Sequence, residues 1–162
     1  MEAPIPKTIV SGGQTGADRA ALDWARRRQL PTGGWCPADR LAEDGRIPDR
    51  YPLKETNSTA YIVRTEWNVR DSDATLLFSL ADSLSGGSAE TRAFCQQMNR
   101  PFLHLSQARD LPASAAEKLS RFLAEHRPAT LNIAGPRASD EPEIGSYVEQ
   151  VLELAFPAPF PT

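Results

Sequence analysis

The feature that most constrains the fold is an alternation of short, unbroken apolar runs with longer amphipathic ones. Runs such as "ATLLFSL" (74–80) show no in-out alternation of apolar and polar residues, so both faces must be covered. Strands are expected over 7–12, 30–35, 74–80, 101–105 and 129–135. Helices are expected over 17–29, 58–70, 88–100, 112–127 and 143–156, and Pro112 suits a first helical turn. Covered strands joined by helices predict right-handed crossovers and a parallel sheet. The fold class is therefore α/β: a doubly wound, mainly parallel, five-stranded, Rossmann-like sheet. The 162 residues read as one ligand-binding domain, with 156–162 as a tail.

A net charge of −3 and the absence of a long basic run argue against nucleic acid as a partner. "ARRR" (25–28) fits the cation-favouring end of a helix. No apolar run approaches the ~20 residues of a membrane span, and "MEAPIPKTIVSGG" lacks the pattern of a secretory leader. A cytoplasmic location is expected. Cys36, Cys95, His104 and His126 have no metal-ligand spacing, and no Cys36–Cys95 disulfide is expected in a reducing compartment.

In a sheet of this kind ligands bind at the carboxyl ends of the strands. Four of the five expected exits carry glycine: "SGGQTG" (11–16), "GGWCP" (33–37), "ADSLSGGSAET" (81–91) and "AGPR" (134–137). Turns alone require some glycines. Thr15 and Asp18 also have the spacing of a capping box, which needs no ligand. Convergence favours a ligand, because the pairs Gly12-Gly13 and Gly86-Gly87 both precede expected helices. A helix N-terminus bare of side chains attracts anions, phosphate above all. The standard phosphate signatures do not fit: "SGGQTG" reads S-x-G-x-x-G, and there is no G-x-x-x-x-G-K-[ST]. Classical dinucleotide binding and P-loop chemistry are disfavoured.

The segments "IVSGGQTGADRAALDWA", "GGWCP…AEDG", "RTEWNVRDSDATL", "SGGSAET" and "NIAGPR" together resemble the family named putative molybdenum carriers. These are circularly permuted relatives of the lysine-decarboxylase-like, nucleotide-binding Rossmannoid proteins. The resemblance runs from about residue 8 to 150. It implies a first ligand loop of Gly12, Gly13, Gln14, Thr15, Gly16 and Asp18, and a second of Gly86, Gly87, Ser88 and Thr91. It also implies a phosphate-bearing small-molecule ligand (a pterin such as molybdenum cofactor, or a nucleotide derivative) and a homo-oligomer. Nucleotide-cleaving relatives carry a G-G-x-G-T-x-x-E loop. Here Ala93, not a glutamate, stands at its last position, which disfavours phosphoribohydrolase-type catalysis. In a rival enzyme reading, Asp18 or Glu43 would be the acid or base.

Arg137 follows the last strand and could pair bidentately with phosphate. Arg64, Asn68 and Asp71 share one helical stripe, with Arg64 nearest the ligand edge; Asp71 and Asp73 read as structural. Residues 36–56 are too long for an ordinary connection and suggest a lid or binding segment. Cys36 reads as a buried thiol before a soft metal ligand, and Cys95 and Trp24 as core. His104 reads as packed in its strand.

Overall fold

The computed structural model describes residues 3–157. β1 (Thr8–Val10), α1 (Ala17–Arg27) and β2 (Thr32–Gly33) open the chain. A compact stretch follows with β3 (Trp35–Cys36), a 3-10 turn at Ala38–Arg40, β4 (Leu41–Ala42), β5 (Gly45–Arg46) and β6 (Lys54–Glu55). Then come α2 (Tyr61–Arg70), β7 (Ala74–Ser79), α3 (Gly86–Gln97), β8 (Phe102–Ser106), α4 (Pro112–His126), β9 (Thr130–Ala134) and α5 (Ile144–Ala155).

The central sheet is five-stranded and all parallel, in the order β2-β1-β9-β7-β8, as the apolar runs require. Its pleat sorts the side chains. Ile9, Leu76, Phe78, Leu131 and Ile133 pack with α1, α4 and α5 into the main core, where Trp24 rests on Phe156 with ring centroids 5.3 Å apart. Phe156, expected to begin the tail, therefore belongs to the core. Residues 158–162 of that tail lie outside the described residues. On the opposite face, under α2 and α3, the register pairs Thr75 with Asn132. No helix among the described residues is long and apolar enough to cross a membrane.

The second strand is shorter than predicted. Only Thr32 and Gly33 pair with β1, because Gly34 turns the chain at φ +123°. A Cβ on Gly34 would stand 2.3 Å from Ser11 O, so this approach excludes any other residue. Trp35 and Cys36 instead pair with Lys54 and Glu55. Helix α2 starts after residue 58 because the Ser58 hydroxyl accepts the Ala60 N–H (3.1 Å) in a local turn.

Residues 36–56 form a folded lobe rather than an irregular loop. Arg40, only 7 % exposed, donates to the carbonyls of Ile47 (3.1 Å), Pro48 (2.8 Å), Tyr51 (2.9 Å) and Leu53 (3.3 Å). Around it Cys36, Ala42, Ile47, Tyr51 and Leu53 make a second apolar cluster against Leu22 of α1. One guanidinium thus replaces the ladder that such short strands cannot provide.

Candidate functional site

The carboxyl ends of β1, β7 and β9 open into one cleft of about 660 Å³, walled by α2 as far as Asn68 and by the start of α3. Gly12, Gln14, Asp18, Arg64, Gly86, Gly87, Ser88, Thr91 and Arg137 line it. Gly13, Thr15 and Gly16 do not. At Gly13 (φ +81°) a Cβ would lie 2.5 Å from Leu53 Cδ1, so this glycine seats the lobe. At Gly16 (φ +81°) it would lie 2.6 Å from Pro136 O, so this one admits the β9 exit.

The capping box does not form. Gly16 is the N-cap of α1, and no side chain caps it. The Thr15 hydroxyl donates to Glu43 and accepts the Ala138 N–H (3.1 Å), while Ala17 N–H donates to Pro136 O (3.2 Å). Asp18 turns back instead, accepting the Gln14 N–H (3.2 Å) and facing Arg64 Nη1 at 3.1 Å. Burial raises the Asp18 carboxyl above its usual range, outweighing the attraction of Arg64 and the Gln14 hydrogen bond.

Arg64 fills the space that Gly12 leaves. A Cβ on Gly12 would fall 1.9 Å from its Nη1. Its Nε is buried without a hydrogen-bond partner, and its guanidinium lies 5.6 Å from the Tyr61 ring centre. Further along α2, Asn68 brackets Trp35 through its backbone N–H (2.8 Å) and C=O (2.9 Å). Asp71 accepts the Trp35 indole N–H (2.8 Å), and Asp73 accepts the N–H groups of Ala129 (3.0 Å) and Thr130 (2.9 Å). Arg64, Thr65 and Asn68 line the cleft together with Tyr61 and Ile62 of the first turn, whereas Asp71 and Asp73 do not.

The α3 turn is different in kind. A Cβ on Gly86 (φ +52°) or Gly87 would meet nothing within 4 Å, and the N-cap Ser85 makes no side-chain cap. Bare backbone at a helix N-terminus here faces open cleft. The Thr91 hydroxyl is used within the helix, donating to Gly87 O (2.8 Å). Arg137 is held by Asp140 (3.1 Å) and Glu43 (3.5 Å). Glu43 also accepts the Ser139 N–H (3.2 Å) and hydroxyl, and those bonds hold its carboxyl below the usual range. It clasps the lobe to the β9 exit and does not line the cleft.

The sequence matches the circularly permutated YpsA SLOG family over residues 9–156. The chain belongs to this family. It is also similar to the crystal structure, at 1.45 Å, of the "Putative molybdenum carrier protein" from Syntrophus aciditrophicus SB. The two are 47% identical, and the match covers 97% of this chain and 98% of that one with a TM-score of 0.93. No curated protein matches the sequence.

Two cleft features of this SLOG-family chain escaped the sequence reading. Glu141 accepts the N–H groups of Leu80 (2.7 Å) and Ala81 (3.0 Å), fixing the β7 exit. Ser79, in the cleft wall, lies 2.6 Å from His104 Nε2. Arg109 Nη2 sits 3.2 Å from His104 Nδ1 and can only donate, so Nδ1 is the acceptor and Nε2 carries the proton. His104 then donates to Ser79, and Ser79 donates to Ala81 O (2.6 Å). This is the wrong tautomer for a base that would activate Ser79; the chain of bonds braces the exit loop. Burial also lowers the His104 pKa, which disfavours the charged ring.

Among the described residues no group of three or more His, Cys, Asp or Glu could hold a metal ion. Cys36 is buried in the lobe cluster, and burial pushes its thiol pKa up. Neither Cys36 nor Cys95 lines the cleft, so it presents no thiolate to a soft metal.

Proposed function

We propose that this chain is a cytosolic carrier that holds a phosphate-bearing small molecule in the cleft, with molybdenum cofactor as its leading cargo. The α3 turn carries the reading. Gly86 and Gly87 present backbone to open space, Ser88 follows, and the positive end of the helix lies behind them. Helix α2 contributes Arg64 and the loop after β9 contributes Arg137, although both already have carboxylate partners. The name of the Syntrophus relative supports a carrier role. Molybdenum would travel bound by the organic part of its cofactor, since the cleft offers no thiolate. Assembly into a homo-oligomer belongs to the same proposal, and sedimentation velocity reads it directly.

The test is calorimetric titration of ribose 5-phosphate into wild-type protein and Gly87→Val. The carrier reading expects binding to the first and loss of it in the second. Equal binding to both removes the α3 turn from the site.

A second reading, an enzyme acting on a nucleotide derivative, rests on Asp18. That carboxyl is 2 % exposed, lines the cleft and favours its protonated form beyond an ordinary aspartate. It requires turnover of a nucleotide monophosphate that Asp18→Asn abolishes while binding persists.

A further inference from the structure

The fold leaves one buried amide in the cleft wall half used. Gln14 is 6 % exposed, and its Oε1 accepts the N–H groups of Thr15 (3.0 Å) and Glu43 (2.9 Å). Two backbone donors on one atom identify that atom as the oxygen. The other end, Nε2, carries two N–H groups and has no hydrogen-bond partner among the described residues, although Gln14 lines the cleft. Nε2 is not sealed off by the fold but open to the cleft, so both of its donors are available to a ligand.

A second amide complements it. The pleat of β9 turns Asn132 away from Leu131 and Ile133, onto the cleft face. It is 3 % exposed; Nδ2 donates to Thr75 Oγ1 (3.2 Å), and Oδ1 has no partner among the described residues. The nearby charges do not change this character, because Arg64 and Asp18 oppose each other at 3.1 Å. Tyr61 and Ile62, 37% and 44% exposed, add apolar surface at the same cleft.

We infer that the β1/β9 side of the cleft reads the lactam edge of a heterocycle, a ring C=O beside a ring N–H. Gln14 Nε2 donates to the carbonyl and Asn132 Oδ1 accepts from the ring N–H. This deepens the proposed function and rests on it: one ligand spans the cleft, ring at β1/β9 and phosphate at the α3 turn. Oxopurines and pterins share that edge. An aminopurine presents the reverse pattern, setting its amino donor against the Gln14 donor.

Inosine 5′-monophosphate, adenosine 5′-monophosphate and ribose 5-phosphate are titrated into wild-type protein and Gln14→Glu. The substitution keeps the oxygen that serves Thr15 and Glu43 and exchanges the donor for an acceptor. Wild type is expected to bind the inosine nucleotide at least about tenfold more tightly than the adenosine one, since mismatched buried polar groups reject an analogue. Gln14→Glu is expected to erase that preference, read as the ratio of the inosine to the adenosine nucleotide affinity. Any common effect of the added charge on phosphate binding, measured with ribose 5-phosphate, cancels in that ratio. Equal wild-type affinities for the two nucleotides overturn the inference without any variant, and so does a preference that survives in Gln14→Glu. Ribose 5-phosphate binding without ring preference overturns this inference alone. Failure of all three phosphates to bind overturns the proposed function with it. If the inosine preference holds, free hypoxanthine and free pterin are competed against the inosine nucleotide. The stronger competitor names the ring.

Discussion

Arg64 Nη1 lies 3.1 Å from Asp18 Oδ2, directly over Gly12, so the missing side chain of that glycine is the seat of an ion pair. The pair joins α2 to the first turn of α1 across 46 residues of sequence and forms part of the cleft wall. It also changes what the first glycine loop offers. Its positive charge is already matched, whereas the α3 turn has no side chain set against its N–H groups.

Removing Arg64 strands a buried carboxylate. Arg64→Ala is expected to cost about 3–5 kcal/mol, the usual penalty for breaking a buried pair from one side. Gly12→Ala, whose Cβ would displace the guanidinium, is expected to cost about 1–3 kcal/mol. Urea unfolding measures both, and a neutral Gly12→Ala would contradict the close approach.

The Asp18 carboxyl sets a pH dependence of known sign. Its folded pKa is raised, so the folded state holds the proton more tightly than the unfolded one, whose value is near 3.8. Its contribution is therefore most favourable below that value. It declines as pH rises to the folded pKa and is constant above it. The stability of wild type relative to Asp18→Asn should fall across that window, read from unfolding curves at a series of pH values. Arg64→Ala removes an influence that lowers this pKa, so it should extend the window upward.

Glu43 has the opposite sign. Hydrogen bonds from Ser139 and Thr15 depress its pKa below 4.5, so its contribution is present above that value and vanishes as pH falls through the folded pKa. Glu43→Gln should lower the melting temperature at neutral pH, and the gap from wild type should close on acidification. A gap that persists in acid would mean the clasp does not depend on charge.

Arg40 organises the lobe mainly through carbonyls, with the Asp49 carboxylate at 3.8 Å from its Nε. Arg40→Ala leaves four carbonyl acceptors unmet, three of them in buried bonds, and should cost about 3 kcal/mol or more. Hydrogen exchange should show lost protection concentrated in residues 38–55, with the main sheet still protected.

Gly87 separates folding from binding. With nothing within 4 Å of an added Cβ, Gly87→Ala should keep or raise stability, by up to about 1 kcal/mol, as helical glycine replacements do. Phosphate-probe affinity should fall in the same variant. Gly13→Val should do the reverse, failing first in stability because its Cβ meets Leu53.

The sheet was legible because β7, buried along its whole length, and β9, buried through its centre, are short, mostly apolar runs without helical period. The glycine-bearing exits followed from the same pattern. What could not be read depends on long-range contacts. The lobe at 36–56 folds around one arginine whose carbonyl partners lie 7 to 13 residues away, which leaves no periodic trace. Thr15 and Asp18 had capping spacing, yet Glu43 and Arg64 compete for them from distant segments. Ser79 meets His104 only through the β7/β8 register, which pairs Leu77 with His104. Of the Arg64, Asn68 and Asp71 stripe, the first two line the cleft and Asp71 does not, an order that follows helical phase.

The central claim is that the cleft holds a phosphate-bearing small molecule, and native mass spectrometry of gently purified protein tests it most directly. Wild type should carry an adduct that denaturation releases as a phosphate-containing mass, with the pterin and its molybdenum if the cargo is molybdenum cofactor. Gly87→Val, purified in parallel, should carry less or none. An adduct without phosphate, or one retained equally by Gly87→Val, would contradict the account.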